Sequence, residues 1–570
     1  MRNPAATRAK SDALPTEVLL RALPWLAALA AASPLVFAGF PRGHDWSFEL
    51  LRVAEYRAAA AAGQWPPYWG ENLYMGYGSP VFLYYAPLFS ALAAGASAWA
   101  SSIASGAAAV LALATLASVP FVRAFLAGLL EAAGLRDAGA VRLGTTLWLL
   151  DPYLLGDKLV RNADAEYLAL CLVPIALAGV ARAGREPRRA FFLVSSGIAL
   201  TAVAHNLTAL VAAAFALGLA AVLWSRGPRA AWAVVLGGVA AGLALAAFFW
   251  LPALSLEGLI RPEELLRGKF DYRHEFPPVG QLFGWVRFFS IGLAAPAVWL
   301  AALAAVARFP AQRRVLVALL AVVAWLLFLE TEASAAVWAA VPGLPLFQFP
   351  WRMMGPLALV SSALVALAAA LFSVRRPPEL RALAEAGAAG LLLANALPRL
   401  LAYQPLPPEL RTQLPQALSP AAVRETPISV TVGDEYLPRA ADPDVWKRDR
   451  PIAGPVAGAS GPVRWETLAD GGSRIELATH ADAPARLRLA RFAFPEWHIE
   501  VNGSAVEPAP STRGVLEIDV PAGEARVVAR LEPPRVRRAA LWLSAAALAA
   551  WLAAWLVTGR RRAASIASRG

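Results

Sequence analysis

The hydrophobic positions of this chain fall into long unbroken runs. About 20 consecutive apolar residues suffice to cross a bilayer as a helix. Runs of that order occupy residues 19–40, 105–130, 142–156, 166–182, 190–204, 206–224, 230–251, 287–307, 313–330, 354–373, 381–401 and 539–558. The pattern predicts about twelve membrane spans. The first run is too long for a signal-peptide core and lacks a small-residue cleavage site, so it is expected to remain as the first span. Residues 81–100 are also apolar, but they open with Tyr84, Tyr85 and Pro87 and are rich in small residues. They are expected to form an interfacial or re-entrant helix that does not cross.

Polar positions between the runs set the orientation. Arg136 with Arg142, Arg182 to Arg189, Arg226 with Arg229, Arg308 to Arg314, Arg375 to Arg381 and Arg560 to Arg562 fall in alternate loops when 81–100 stays on one side. By the positive-inside rule these loops are cytoplasmic. Both termini are then cytoplasmic, and the loops 41–104, 157–165, 252–286, 331–353 and 402–538 face the opposite side.

The periodicity changes after residue 402. A Pro-rich stretch, 405–420, gives way to period-two alternation at 486–494 and 497–501, followed by Asn502-Gly503, a strong hairpin turn. Residues 515–520 and 525–531 flank Pro521-Ala-Gly523 and read as a further hairpin. Three regions are expected: a multi-span membrane domain (1–402), an extracytoplasmic β-sandwich (403–537), and a final span with a basic tail (538–570). The β domain carries no acid pair or nucleophile arrangement and is expected to be a structural or carbohydrate-contacting accessory.

Composition sharpens this picture. Of 570 residues, 58% are hydrophobic and 16% charged, against roughly 25% charged in a soluble domain, which excludes an ordinary cytosolic enzyme. The net charge of +12 resides largely in the short inner loops, so it reports orientation and contact with anionic headgroups rather than nucleic-acid binding. The single cysteine, Cys171, excludes disulfides and Cys-based zinc sites within the chain. The histidines at 44, 205, 274, 480 and 498 have no HExxH-type spacing, and no P-loop, GxGxxG or GxSxG context occurs.

Ionisable groups near a membrane are costly and mark candidate sites. The first such loop carries His44, Asp45, Glu49 and Arg52 just after the first span. Asp45 has the chemistry of a general base; the alternative is a helix N-cap with Glu49 and Arg52 as a solvated pair. Five charged groups crowd ten residues from Asp157 to Glu166, where Arg161 has the chemistry to hold a phosphate bidentately and the group needs mutual pairing or a polar cavity; the alternative is a simple exposed loop. His205 at a helix junction reads first as a structural histidine. Gln348 and Arg352 open a span, and Arg352 either snorkels or holds a lipid phosphate. Glu435 and Tyr436 lie in Gly433-Asp-Glu-Tyr-Leu-Pro438.

The acid after the first span, Gly76–Pro80 with Tyr84-Tyr85-Ala86-Pro87-Leu88, Pro152-Tyr153 with Asp157, Arg161 and Glu166, His205-Asn206, Gln348-Phe-Pro-Trp-Arg352 and Glu435-Tyr436-Leu437-Pro438 occur in this order along one chain. Together they resemble the YfhO-like branch of the GT-C membrane glycosyltransferases. The resemblance implies a GT-C-like helical fold and inverting transfer of a sugar from a polyprenyl-phosphate carrier to a glycan, lipid or polymer acceptor outside a bacterial inner membrane. It places Asp45 as general base. Charge and side nominate Arg161 and Arg352 for the lipid phosphate, with His44, Glu49, Asp157, Glu166, His205, Gln348, Glu435 and Tyr436 as further substrate-binding residues. Some members use a divalent metal and others do not; no ligand set in the sequence decides it, and no cofactor is indicated. A flippase or transporter of a lipid-linked glycan, and a non-catalytic envelope-assembly scaffold, are the alternatives. No internal repeat of the transporter kind is present.

Overall fold

The computed structural model describes residues 4–567 except 285–289, 293, 374–375, 432, 443–455, 458–462, 472 and 510. The start of the run 287–307 and Arg375 lie outside the described residues. Each of the twelve apolar runs contains a helix. Among the described residues, seven helices are long and apolar enough to cross a membrane alone, or up to nine if two bent pairs count as one span each. The rest are shorter or more polar. The run 142–156, for instance, is interrupted: the helix Ala138–Leu149 stops, and Asp151 caps a new five-residue helix by accepting from Tyr153 N and Leu154 N, with Pro152 at its first position. Residues 81–100 form two short helices, Val81–Tyr84 and Leu88–Ala96, separated by Pro87. The longer rises only about 14 Å, half of what a bilayer core requires. The chain is thus a multi-pass α-helical membrane protein with a small antiparallel β domain before its last helix.

The helices Asp164–Arg182 and Pro350–Ser373 sit at the centre, 94% and 89% buried, whereas the last, Arg535–Val557, is 11% buried and lies at the periphery. Small residues set how closely the central helices approach. A Cβ at Gly197 would stand 2.3 Å from the backbone nitrogen of Ala176, so that contact is backbone against backbone. The span Arg229–Leu245 bends by 74° into Ala247–Ser255. At the bend the Ser544 hydroxyl, from the last helix, accepts from Phe248 N at 2.8 Å and donates to Ala244 O at 3.1 Å. Those two groups are the i, i+4 pair that a straight helix would join directly.

The β domain is a two-sheet sandwich: a three-stranded sheet in the order β1 (Val456–Ala457), β4 (Ala485–Phe492), β7 (Val515–Val520), and a five-stranded sheet β2 (Val463–Gly471), β3 (Arg474–Ala481), β8 (Gly523–Leu531), β5 (Trp497–Val501), β6 (Ser504–Val506). The hairpin read at Asn502-Gly503 joins β5 to β6, both turn residues having positive φ. The second hairpin does not form. β7 pairs with β4 in one sheet and β8 with β3 and β5 in the other, so Pro521–Gly523 crosses between layers. Leu516 and Ile518 from one strand, Val527 and Ala529 from the next, enter the same core from opposite sheets.

That core does not belong to the sandwich alone. Trp69 packs against Phe494 and Trp497, and Tyr77 stacks on Phe492 at 5.1 Å. The loop after the helix Trp46–Ala61 is therefore built into the β domain. Its inner anchor is Glu55, fully buried, whose carboxylate accepts from Asn72 N and Nδ2 at 2.9–3.2 Å, while Asn72 Oδ1 accepts from Arg424. The segment before that helix lies along residues 157–163: Gly43 N donates to Asn162 Oδ1, His44 N to Val160 O and Asp45 N to Arg161 O. A Cβ at Gly43 would meet Asn162 Oδ1 at 2.2 Å and Val160 O at 2.3 Å, so only glycine fits.

Two outcomes follow. Burial pushes the Glu55 carboxyl up to about 7 from an ordinary 4.5. The folded state then binds this proton more tightly than the unfolded state, and stability falls as pH rises through that interval. Thermal unfolding in detergent should show Glu55→Gln gaining a few °C on the wild type between about pH 5 and pH 8; parallel profiles would refute this. Gly43→Ala should lower the midpoint by several °C, since overpacking costs roughly 1–3 kcal/mol, and an unchanged midpoint would contradict the close approach.

Candidate functional site

One cavity of about 1240 Å³ opens where the helix bundle meets the β domain, and it brings together His44, Asp45, Glu49, Arg161, Glu166, His205, Gln348, Arg352, Glu435 and Tyr436. Of the residues nominated from sequence, Asp157 alone is not on its wall; it stands behind Arg161.

Asp45 occupies the N-cap position of the helix Trp46–Ala61, yet its side chain makes no capping hydrogen bond. It is half-buried on the cavity wall, and among the described residues it has no ion-pair partner. One turn on, Glu49 and Arg52 do pair, at 2.5 Å, but as a buried pair rather than a solvated one. Tyr85 Oη donates to Glu49 at 2.9 Å, Arg52 donates to Val430 O, and its guanidinium lies 4.1 Å over the Tyr85 ring. Burial raises the Glu49 carboxyl while Arg52 opposes the shift.

The adjoining wall is built on a single π-turn, Asp157–Arg161, closed by Asn162 in the left-handed conformation at φ 61°. Such turns re-aim side chains that a regular helix would point elsewhere. Here Arg161 Nη1 donates to Asp157 Oδ1 and to Glu166 Oε2, both at 2.8 Å, and the guanidinium lies 4.8 Å over Trp351. Glu166 also accepts from Tyr153 Oη at 2.8 Å and stands 3.3 Å from Arg352 Nε. Arg352 turns inward and does not snorkel: its Nη1 donates to Phe347 O and to Gln348 Oε1. Gln348, at φ 62°, is itself fixed through Leu265 O. Burial and the neighbouring Glu166 charge hold the Asp157 carboxyl well above its usual range, with Arg161 opposing. This wall sets the guanidiniums of Arg161 and Arg352 on one shared carboxylate, Glu166, an arrangement suited to taking a further anion.

His205 caps the helix Asn206–Trp224, its Nδ1 2.8 Å from Thr208 Oγ1, and burial lowers it to about 4. It is a neutral ring that both caps and lines the cavity. On the β-domain side Glu435 accepts from Thr431 Oγ1 at 2.7 Å, and burial raises its carboxyl. Tyr436 stacks parallel to Tyr84 at 6.2 Å. Apolar groups complete the wall, among them Leu210, Leu254, Phe270 and Phe276. The sequence motif Gln348–Arg352 contains Trp351 but assigns it no role, and Phe270 is not singled out by the sequence. The aromatic density of Phe347, Phe349 and Trp351 beside Arg352 was the available signal, since Phe349 stacks on Trp351 at 4.8 Å. Sequence reasoning also gave no role to Lys158, which the π-turn buries completely against Ala31 O, Thr115 Oγ1 and Tyr167 Oη. Among the described residues no group of three or more His, Cys, Asp or Glu side chains is placed to hold a metal ion.

No protein-family model matches the sequence, and comparison with curated proteins finds no match. Among solved structures the chain is similar to the arabinofuranosyltransferase AftD from Mycobacteria, at a TM-score of 0.45 and 20% identity over 67% of this chain and 27% of that one. It is also similar to the Archaeoglobus fulgidus oligosaccharyltransferase tethered to an acceptor peptide, at a TM-score of 0.41 and 13% identity over 74% of this chain and 61% of that one. This chain thus spans about a quarter of the length of the mycobacterial protein and about three-fifths of the archaeal one.

Proposed function

We propose that this protein is a membrane glycosyltransferase that moves a sugar from a polyprenyl-phosphate carrier to an acceptor hydroxyl on the non-cytoplasmic side of a bacterial inner membrane, with inversion. The observation that carries the reading is the placement of Asp45, a carboxylate with no cap or ion-pair partner among the described residues, in one cavity with the Arg161–Arg352 wall and a broad apolar lining. An apolar wall accepts a lipid tail, the guanidiniums take its phosphate, and the acid stands free for the acceptor.

In this reading Asp45 takes the proton of the acceptor hydroxyl as its oxygen attacks the anomeric carbon. The bond from that carbon to the phosphate oxygen breaks on the opposite face. The carrier leaves as a phosphate monoester with one more negative charge than the diester that entered. Arg352 and Arg161 stabilise that added charge, an interaction stronger in the transition state than in the ground state. Asp157 and Glu166 hold Arg161 in place, so its position is fixed before the donor arrives.

Purified protein supplied with a polyprenyl-phosphate sugar and candidate acceptors provides the test. Asp45→Asn should lower transfer by about 10²–10⁴-fold, the usual contribution of a general base, while binding of the carrier lipid stays near the wild-type value. Full transfer by Asp45→Asn would remove it as base. Translocation of a lipid-linked glycan by wild type without transfer to any acceptor would sink the enzyme reading. Arg352→Gln should lower kcat/KM for the donor about tenfold or more, with kcat falling too, a charge-assisted hydrogen bond being worth about 1.5–3 kcal/mol. Arg161→Gln should lower the unfolding midpoint as well, because it strands two buried carboxyls; equal midpoints for these two variants would contradict the assigned roles.

A further inference from the structure

The cavity has a second side that the phosphate chemistry does not use. Tyr84 and Tyr85 come from the break between two short helices, and Tyr436 comes from the segment leading into the β domain. The Tyr436 ring lies parallel to Tyr84, 6.2 Å between centroids and 9° between planes, and meets Tyr85 edge-on at 6.4 Å. Two of the three hydroxyls are engaged: Tyr84 Oη donates to Leu256 O at 2.8 Å and Tyr85 Oη to Glu49 at 2.9 Å. The third is not. Tyr436 is half-buried on the cavity wall, and among the described residues its hydroxyl has no hydrogen-bond partner. Its backbone oxygen accepts from Ser79, so the residue is held while its phenol is left open to the cavity.

Charge on this side differs from that on the arginine side. Glu49 is neutralised by Arg52, but Asp45 and Glu435 have no ion-pair partner among the described residues. An aromatic ring fixed by neighbouring rings, with carboxylates lining the same cavity, matches a particular ligand chemistry. The C–H face of a pyranose packs on an aromatic ring, and its hydroxyls donate to carboxylate oxygens. A uronate or phosphorylated sugar would instead bring like charge against Asp45 and Glu435.

We propose that Tyr436, backed by Tyr84 and Tyr85, is the acceptor subsite, and that it takes a neutral glycan stacked on the Tyr436 ring with hydroxyls toward Glu435 and Asp45. This rests on the glycosyl-transfer reading for the word acceptor, but the binding chemistry stands apart from it. The cavity is then polarised: an anion on the wall of Arg161 and Arg352, an uncharged polyol on the tyrosine wall.

Isothermal titration of the full-length protein in detergent tests this with maltotetraose, cellotetraose and mannotetraose as neutral probes, tetragalacturonate as the anionic one, and a polyprenyl phosphate as the carrier. With the polyprenyl phosphate already bound, so that the arginine wall is filled, at least one neutral tetrasaccharide should bind about tenfold or more tightly than tetragalacturonate. Tyr436→Leu should weaken that neutral probe at least fivefold, Tyr436→Phe should stay within about threefold, and both should bind the carrier as wild type does. Glu435→Gln should narrow the gap between neutral and anionic probes. The proposal is overturned if wild type binds none of the neutral probes, if tetragalacturonate binds as tightly, or if Tyr436→Leu leaves neutral binding unchanged. Loss of carrier binding by Tyr436→Leu would also overturn it, because a subsite for the acceptor alone leaves the carrier untouched. Tyr436-dependent sugar binding without transfer by wild type would remove the glycosyltransferase reading and leave the subsite. Transfer that depends on Asp45 but has an acceptor KM unaltered in Tyr436→Leu would do the reverse.

Discussion

A guanidinium buried in an apolar bundle must be met by carboxylates, and this molecule is organised around one that is met twice. Arg161 Nη1 donates to Asp157 and Glu166 at 2.8 Å each. Breaking such an arrangement strands a charge at a cost of several kcal/mol, which is what fixes its parts so firmly. The π-turn, the left-handed Asn162 and the backbone bonds from Gly43, His44 and Asp45 all follow from holding that side chain where it is. Asp45 is aligned by the same element that aligns Arg161. The two walls of the cavity are therefore one construction, joined through the backbone along residues 43–45 and 160–162.

The β domain acts on the cavity through packing rather than through chemistry of its own. Its core is shared with Tyr68, Trp69 and Leu83, and Phe492 N donates to Tyr77 O. From there the chain runs directly to Tyr84 and Tyr85 on the cavity wall, and Glu435 and Tyr436 approach from the other side. A domain that reads in the sequence as an appendage between two spans is built into the site's framework.

Much of this was legible in the sequence because it depends on local pattern. Every apolar run holds a helix, and β5, its Asn-Gly turn and β7 coincide with the period-two segments at 497–501 and 515–520. The crowding of costly charges at helix ends marked the cavity lining, since a burial penalty is a property of the residue whatever the fold. What escaped was set by tertiary partners. Pro521–Gly523 has the residues of a hairpin, but pairing belongs to β4 on one side and to β3 and β5 on the other. Asp157 belongs to the same charged cluster as Arg161 and Glu166, yet the π-turn places it behind Arg161, a register that no periodicity encodes. Bent spans were equally hidden, because a run such as 230–251 has the same hydropathy whether straight or folded by 74°.

The bend closed by Ser544 has a consequence for biogenesis. Its hydroxyl bridges Ala244 O and Phe248 N from 296 to 300 positions away in the chain. In lipid, backbone groups without partners are expensive, and a ribosome delivers residue 544 long after residue 248. Until the last helix inserts, the bent span lacks the bridge that satisfies its break, so the bundle reaches its final shape only once the β domain has already been made. The order of synthesis makes that last helix the latch, and a chain truncated after the sandwich would carry every residue of the cavity without the piece that locks one of its walls.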